Sequence, residues 1–506
     1  MARLSIFLFS ALILVASIQL SAAEEKDNLS TGDYQVLNRA DVLLITSDEL
    51  RDSWNDFAVW KTKTGKPTKI ITTTEIDENF PGDDLQAKIR ACCLQHIEKQ
   101  QTEWVILGGD SRGKKGGHVP DRDTHHEEFY KYKNLPTDIY YISKGNWDAN
   151  DDGIYGQFSE DLDAVDYTHP DASIGRIPVR SVEDVAAYTQ KVIKYETEYP
   201  EDNFATSMIY TCAETHANPK LNSSKDSLEE TWPNGKIQQF FVDKTPWDEE
   251  EDGDYDLSTE NWTTMINENQ AGKMHIHGHG LKDRWVLEKR SYVMADTVDE
   301  LKNSSAYPVM TTVSCFTGQF DSFSDPCITE SMIRKEDGGA IAIIAPSREG
   351  IPVFHEASDM KLMMTEGKMD GTTETLTLFW QHAIKDGLTL GHAFREAKQE
   401  MTTHARKTDG YHFVQCELNL LGDPTLDIRA ESVSNIDATA KLKGGKLLVT
   451  GVKDCTVCVW SGDSYEIKQA DSLDKLEFQV PENPESVRIS ASAPSRNTWS
   501  TEFVTR

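Results

Sequence analysis

GKMHIHGHGLKDRW at residues 272–285 and YPVMTTVSCFTGQF at residues 307–320 are the stretches from which the fold can be read. Each is a short β-rich run that stops at a corner of small residues. In the first, Met274, Ile276 and the alternating histidines predict a strand ending at Gly278-His279-Gly280, where glycine on either side lets the backbone turn and approach a ligand closely. In the second, Pro308 to Val313 is apolar and β-branched, as in a buried parallel strand, and it breaks at Ser314-Cys315 with Gly318 just beyond. Two parallel strands ending side by side bring an imidazole and a thiol to the carboxyl edge of a sheet. That edge is where open α/β sheets bind ligands.

The flanking sequence supplies such a sheet. Asp41 to Thr46 is a short apolar strand. Ser47 then precedes Leu50, Trp54, Phe57, Ala58 and Trp60 at helical spacing. Lys69 to Thr72 is a second strand, a helix follows from Asp84 through Ile97, and Trp104 to Leu107 runs into Gly108-Gly109-Asp110. Strand, helix, strand, helix, strand implies parallel pairing through right-handed crossovers, with helices on the faces. Gly108-Gly109 is no phosphate loop, because Gly-Lys-Ser/Thr does not follow. A helix from Ser181 to Glu196 is capped by Ser181, and the pattern restarts at Ser207 to Thr211, so a subdomain boundary is expected between Tyr199 and Asn203. Gly339 to Ala345 reads as a central strand, and Glu356 to Ala405 as mostly helical. Past Pro424 only short β runs follow, which predict an immunoglobulin-like sandwich from about residue 431. The expected division is therefore 1–23, 24–200, 201–430 and 431–506.

Residues 1–23 read as a secretory signal peptide. They have one Arg, an apolar run from Leu4 to Leu20, and Ser21 and Ala23 placed for cleavage before Glu24. No later stretch reaches about 18 uninterrupted apolar residues, so no membrane span is expected after signal removal. The chain is expected to be secreted, periplasmic or at the cell surface. A formal net charge of −32 over 506 residues argues against a nucleic-acid partner, whose phosphates would be repelled. Eight cysteines are too sparse for a disulfide scaffold.

Chemistry then concentrates at a few positions. A thiolate is the nucleophile of a Cys–His pair, and an adjacent imidazole both promotes its formation and protonates the leaving amine. Cys315 and His279 are the candidates. His275, His277 and His279 stand at i, i+2 and i+4, so a strand would place all three on one face, and a zinc hydrolase is an alternative reading. Asp148, Asn150 and Asp152 alternate before Gly153, as in a loop that wraps oxygen ligands around a structural calcium ion, with acids at Glu160, Asp161 and Asp163 to complete the shell. No organic cofactor is indicated. His125 and His126 with Glu127 and Glu128 read as a solvated face, with a metal site as the alternative. Cys455 and Cys458 have metal spacing, but a strand points them to opposite faces, so they read as structural.

The HGHG and VSCFTGQF corners together resemble the gingipain family, cysteine peptidases of the caspase-like clan. WVILGGD (104–110), WDANDDGIYG (147–156), DASIGRIP (171–178), PCITE (326–330) and NLLGDP (419–424) stand in the family's order, as does the stretch from Asp41 to Glu75, so the likeness spans about residues 40–428. It implies an α/β fold of caspase-like open parallel sheets flanked by helices in two subdomains. It also implies a cysteine endopeptidase acting on protein or peptide through an acyl-enzyme. By the same resemblance the N–H groups of Gly280 and Cys315 form the oxyanion hole, Glu214 orients His279, and Asp226 contributes to a pocket for a basic residue. The loop Pro346-Ser347-Arg348-Glu349-Gly350-Ile351-Pro352 lacks the Trp that gingipains carry, so preference for basic residues does not follow from the motif. A catalytically inactive binding or adhesion protein of the same fold is the further alternative.

Overall fold

The structure, a computed structural model, describes residues 40–112, 117–127, 130–161, 164–198, 200, 204–212, 219–241, 255–268, 271–287, 290–322, 324–351, 371–461, 464–471, 474–480 and 486–504. Its organising element is an 11-stranded sheet. Numbered along the chain, the strands are β1 (Val42–Thr46), β2 (Thr68–Thr72), β3 (Trp104–Gly108), β4 (Ser173–Ile177), β5 (Ser207–Cys212), β6 (Lys236–Phe241), β7 (Tyr255–Asp256), β8 (Lys273–His277), β9 (Val309–Thr312), β10 (Ala342–Pro346) and β11 (Leu418–Gly422). Across the sheet they run β2-β1-β3-β4-β11-β10-β9-β8-β5-β6-β7. One parallel set holds β1 to β4 and another holds β5 to β10. The late strand β11 joins them, antiparallel to β10 and with Leu421 opposite Arg176 of β4. The expected boundary near residue 200 is therefore a change of set within one sheet.

Burial explains why these segments are strands. Every residue of β1, β8, β9 and β10 is buried, as sheets covered on both faces require. Burying each Val, Leu or Ile side chain contributes about 1.5–3 kcal/mol. The covering helices begin at capping residues, Ser181 as expected. Asp84 accepts from the Ala87 N–H at the start of Leu85–Gln100, and Ser181 from the Asp184 N–H at the start of Val182–Thr197. Of the helical stretch expected between Glu356 and Ala405, Gly371–Lys385 and Leu390–Ala405 are described.

One expectation is overturned. His125 and His126 do not form a solvated face, for both are buried on the strand Arg122–His126, which pairs with Tyr132–Thr137. The aromatic rings of His412 and Phe413 pack on His126 and exclude water from it.

Beyond β11 the chain builds two antiparallel sheets. One holds Thr439–Lys443, Lys446–Thr450 and Lys475–Gln479; the other holds Ser464–Gln469, Thr456–Ser461, Ser486–Ser492 and Trp499–Val504. They enclose a core of their own around Leu447, Val449, Val457, Phe478, Val487 and Ile489, the sandwich expected from the short β runs. It docks at the amino edge of the main sheet. The Ser492 hydroxyl donates to the Thr64 carbonyl (2.9 Å) just before β2, and the Thr498 N–H donates to the Glu196 carbonyl (3.1 Å). All eight cysteines are free thiols. Among the described residues no helix is long and apolar enough to cross a membrane.

Candidate active site

The two corners meet at the carboxyl edge. β8 lies between β5 and β9, with Ile276 level with both Thr211 and Thr312, so the three strands end together. His279 follows two residues after β8 and is exposed; Cys315 follows three residues after β9 and is partly buried. Gly280 forms the contact between them. A Cβ on Gly280 would lie 2.6 Å from Thr317 Cγ2, 2.8 Å from the Cys315 carbonyl oxygen and 2.8 Å from Ser314 Cβ. Only a residue without a side chain lets the corners close to this distance.

The surroundings fix both corners. Gly280 pairs with Trp285 in a small antiparallel sheet, and the Val286 N–H donates to the His279 carbonyl (3.0 Å). That bond brackets Gly280 and Trp285 as a non-hydrogen-bonded pair, so the Gly280 N–H points away from the hairpin. After Cys315 the backbone enters the left-handed region at Phe316 (φ 61°), where a bulky residue is strained unless its surroundings hold it. The hold consists of the Phe316 N–H on the Arg348 carbonyl (2.6 Å), the Gly318 N–H on the Pro346 carbonyl (2.9 Å) and the Thr317 hydroxyl on the Ser314 carbonyl (2.7 Å).

The loop after β10 forms the next wall. Gly350 sits so close to β9 that a Cβ there would meet the Val313 carbonyl oxygen at 1.9 Å, and its own carbonyl oxygen lies 3.9 Å from Cys315 Sγ. Burial pushes the Cys315 thiol above its ordinary range, and the negative charge of Glu349 adds to the rise. Glu417 is fully buried and accepts from the Thr372 hydroxyl (3.0 Å), whose oxygen in turn accepts from the Ile351 N–H (3.0 Å). Glu349 accepts from the Tyr132 hydroxyl (2.7 Å), and Arg348 beside it forms a bidentate pair with Asp321 (3.0 and 2.7 Å). Sequence reasoning missed Glu417 and Tyr132, because Glu417 ends the helix Asp409–Glu417 and Tyr132 starts the strand Tyr132–Thr137, both far from Cys315 in sequence and marked by no local motif.

Other expected site residues are distributed as follows. Glu214 and Asp163 lie outside the described residues. Asp226 is exposed on the helix Pro219–Thr231. The zinc reading of His275, His277 and His279 is overturned. Among the described residues the one group of three or more potential ligands lies elsewhere, at His126, His412 and Cys416. His275 instead belongs to the core. Its Nδ1 bonds the Thr311 hydroxyl (2.8 Å), its ring stacks on Tyr210 (4.8 Å between centroids), and burial drives its pKa down to about 3.

At the Asp148 loop, backbone amides organise the oxygens. Asp148 accepts from the N–H groups of Asp152 (2.9 Å) and Gly153 (3.0 Å), and Asp152 from that of Ile154 (2.8 Å). The Asn150 amide faces Asp152 (3.1 Å) and the Glu160 carboxylate. Among the described residues no Lys or Arg pairs with Asp148, Asp152 or Glu160.

Comparison with known proteins agrees with this geometry. Residues 35–429 match the sequence profile described as Peptidase family C25. The fold superposes on the Arg-specific cysteine proteinase gingipain R (RgpB) with a TM-score of 0.68 at 16% identity, covering 94% of this chain and 100% of that one. The complex of pro- and mature domains of Porphyromonas gingivalis RgpB matches with a TM-score of 0.66 at 17% identity, covering 92% and 100%. A structure described only as a protease matches with a TM-score of 0.62 at 14% identity, covering 94% and 99%. At these identities the likeness is one of fold. No curated protein matches the chain. With the profile spanning both corners and the sheet that carries them, the chain belongs to peptidase family C25 and is a cysteine-type peptidase.

Proposed function

We propose that the protein is an exported endopeptidase in which Cys315 attacks the peptide carbonyl and His279 protonates the leaving amine. Water then hydrolyses the acyl-enzyme. The observation that carries this reading is the contact of Gly280 with the Cys315 corner, which sets the two reactive residues on adjoining turns. The N–H of Gly280, directed away from its hairpin, and that of Cys315 are assigned to the oxyanion, where backbone donors act without reorganisation. Glu214 is assigned to orient His279. His277 stands opposite Cys212 in the register, and Glu214 is two residues on from Cys212, as His279 is from His277.

For substrate preference, Glu349 beside Cys315 favours a cationic side chain next to the scissile bond, and exposed Asp226 is the second candidate. Two supporting assignments complete the account. The acid loop, whose oxygens have no cationic side chain as partner among the described residues, is inferred to take calcium through Asp148, Asn150 and Asp152. Residues 1–23 are inferred to direct export, so the mature amino terminus is expected at Glu24.

Peptide-library profiling of the purified enzyme tests the reading, with Cys315→Ala as control. Cleavage after Arg or Lys that weakens in Glu349→Gln, and is absent in Cys315→Ala, is expected. Weakening in Asp226→Asn instead moves the preference to that residue. Inhibition by a zinc chelator but not by iodoacetamide would overturn the mechanism.

A further inference from the structure

The buried histidines that the sequence placed on the surface form a cluster apart from the catalytic edge. One ring nitrogen each of His126 and His412 and the sulfur of Cys416 lie within 4.8 Å of one another, all three residues buried. They come from two elements, the strand Arg122–His126 and the helix Asp409–Glu417, on which His412 and Cys416 stand at i and i+4. That spacing sets both side chains on one helix face.

Hydrogen bonding assigns the nitrogens. His412 Nε2 is 2.7 Å from the Gly156 carbonyl oxygen, which can only accept, so the proton sits on Nε2. His412 Nδ1 then carries the lone pair, and it faces the Tyr167 hydroxyl at 2.7 Å. His126 Nδ1 lies 3.4 Å from Asp409 Oδ1 and makes no well-aligned hydrogen bond, while its Nε2 is 3.2 Å from the Thr124 hydroxyl. In both rings, therefore, one nitrogen is turned to a carbonyl or carboxylate oxygen and the other to a neutral hydroxyl. Metal-ligating histidines are held in this way, the second nitrogen donating to a carboxylate or backbone carbonyl that fixes the tautomer.

We propose that His126 Nε2, His412 Nδ1 and the Cys416 thiolate form a buried site for a zinc ion, with Asp409 and the Gly156 carbonyl orienting the two imidazoles. Two imidazoles and one thiolate suit a borderline-soft divalent ion of tetrahedral preference and do not suit calcium or magnesium. On binding, the Thr124 and Tyr167 hydroxyls release the two nitrogens. The Cys416 S–H bond breaks as the S–Zn bond forms, and its proton leaves to solvent. The ion would pin the Arg122–His126 strand to the Asp409–Glu417 helix, whose last residue, Glu417, stands beside Cys315. Its role is structural and independent of the peptidase reaction.

Cobalt and zinc binding to the full chain test the site, in a Cys315→Ala background so that the catalytic thiol cannot contribute, with calcium in excess to occupy hard sites. The protein is stripped with a chelator and titrated with Co²⁺. One ion per chain with a near-ultraviolet thiolate-to-cobalt band is expected, together with a zinc-dependent rise in melting temperature. Cys416→Ser should remove the band, and Asp409→Ala should weaken zinc binding by about 10–100-fold. Melting curves in chelator report whether each variant folds, and His126→Gln provides a second ligand variant should Cys416→Ser not fold. No thiolate band in the parent, or a band that survives in Cys416→Ser or His126→Gln, overturns the proposal.

Discussion

At the scale of single residues, the site is built from ionisable groups held away from their ordinary states. Cys315 is raised by burial and by the charge of Glu349, so its thiolate fraction grows only as pH rises. Replacing Glu349 by Gln removes that charge, and the pH profile of iodoacetamide alkylation at Cys315 is expected to move to lower pH; an unmoved profile would remove Glu349 from the site. Glu417 behaves differently. Burial, with repulsion from Glu349 adding to it, pushes its carboxyl well above its ordinary value. The unfolded chain releases that proton above about pH 4.3, whereas the folded chain keeps it. Folding therefore takes up a proton in this window, and its contribution to stability falls as pH rises. Glu417→Gln keeps the bond from Thr372 and cannot ionise. Its urea midpoint should match the parent's near pH 5 and exceed it toward pH 8 by the equivalent of about 1–2 kcal/mol. Equal slopes for the two proteins would contradict this.

At the scale of elements, closeness of two corners matters more than the strands themselves. Gly280→Ala would drive a methyl group into the Cys315 carbonyl and the Thr317 side chain. The variant should lose about 10²–10³-fold in kcat/KM, the loss typical of a misplaced oxyanion donor, while keeping its far-ultraviolet circular dichroism. Much of this scale was legible in the sequence. Met274 and Ile276 between histidines, the apolar run before Ser314, and the Ser181 cap each carry a local pattern that tertiary packing left intact. The Arg122–His126 strand was not legible, because Arg-Asp-Thr-His-His shows no apolar alternation and becomes buried only through His412 and Phe413, nearly 290 residues later. Glu417 was hidden for the same reason. Its neighbours Thr372, Glu349 and Cys315 are distant in sequence, and burial of a carboxyl leaves no mark on local periodicity.

At the scale of the whole molecule, β11 closes the architecture by inserting a late segment between strands formed much earlier. The sandwich sits at the amino edge, against Thr64 and Glu196, opposite the edge that carries Cys315. Ending the chain at residue 430 should therefore leave kcat/KM within about threefold of the parent. It should also lower the melting temperature by about 1–2 °C, as losing about 1–2 kcal/mol does in a chain of this size. Calcium added to the chelator-stripped parent should raise its melting temperature through the acid loop, and Asp148→Asn together with Asp152→Asn should abolish that calcium response. The central claim concerns one sulfur atom at the junction of two corners. It is tested most directly by titrating the active enzyme with limiting iodoacetamide while following activity and the site of modification by peptide mass spectrometry. The account predicts that activity falls in strict proportion to carbamidomethylation of Cys315, and full turnover with Cys315 completely modified would contradict it.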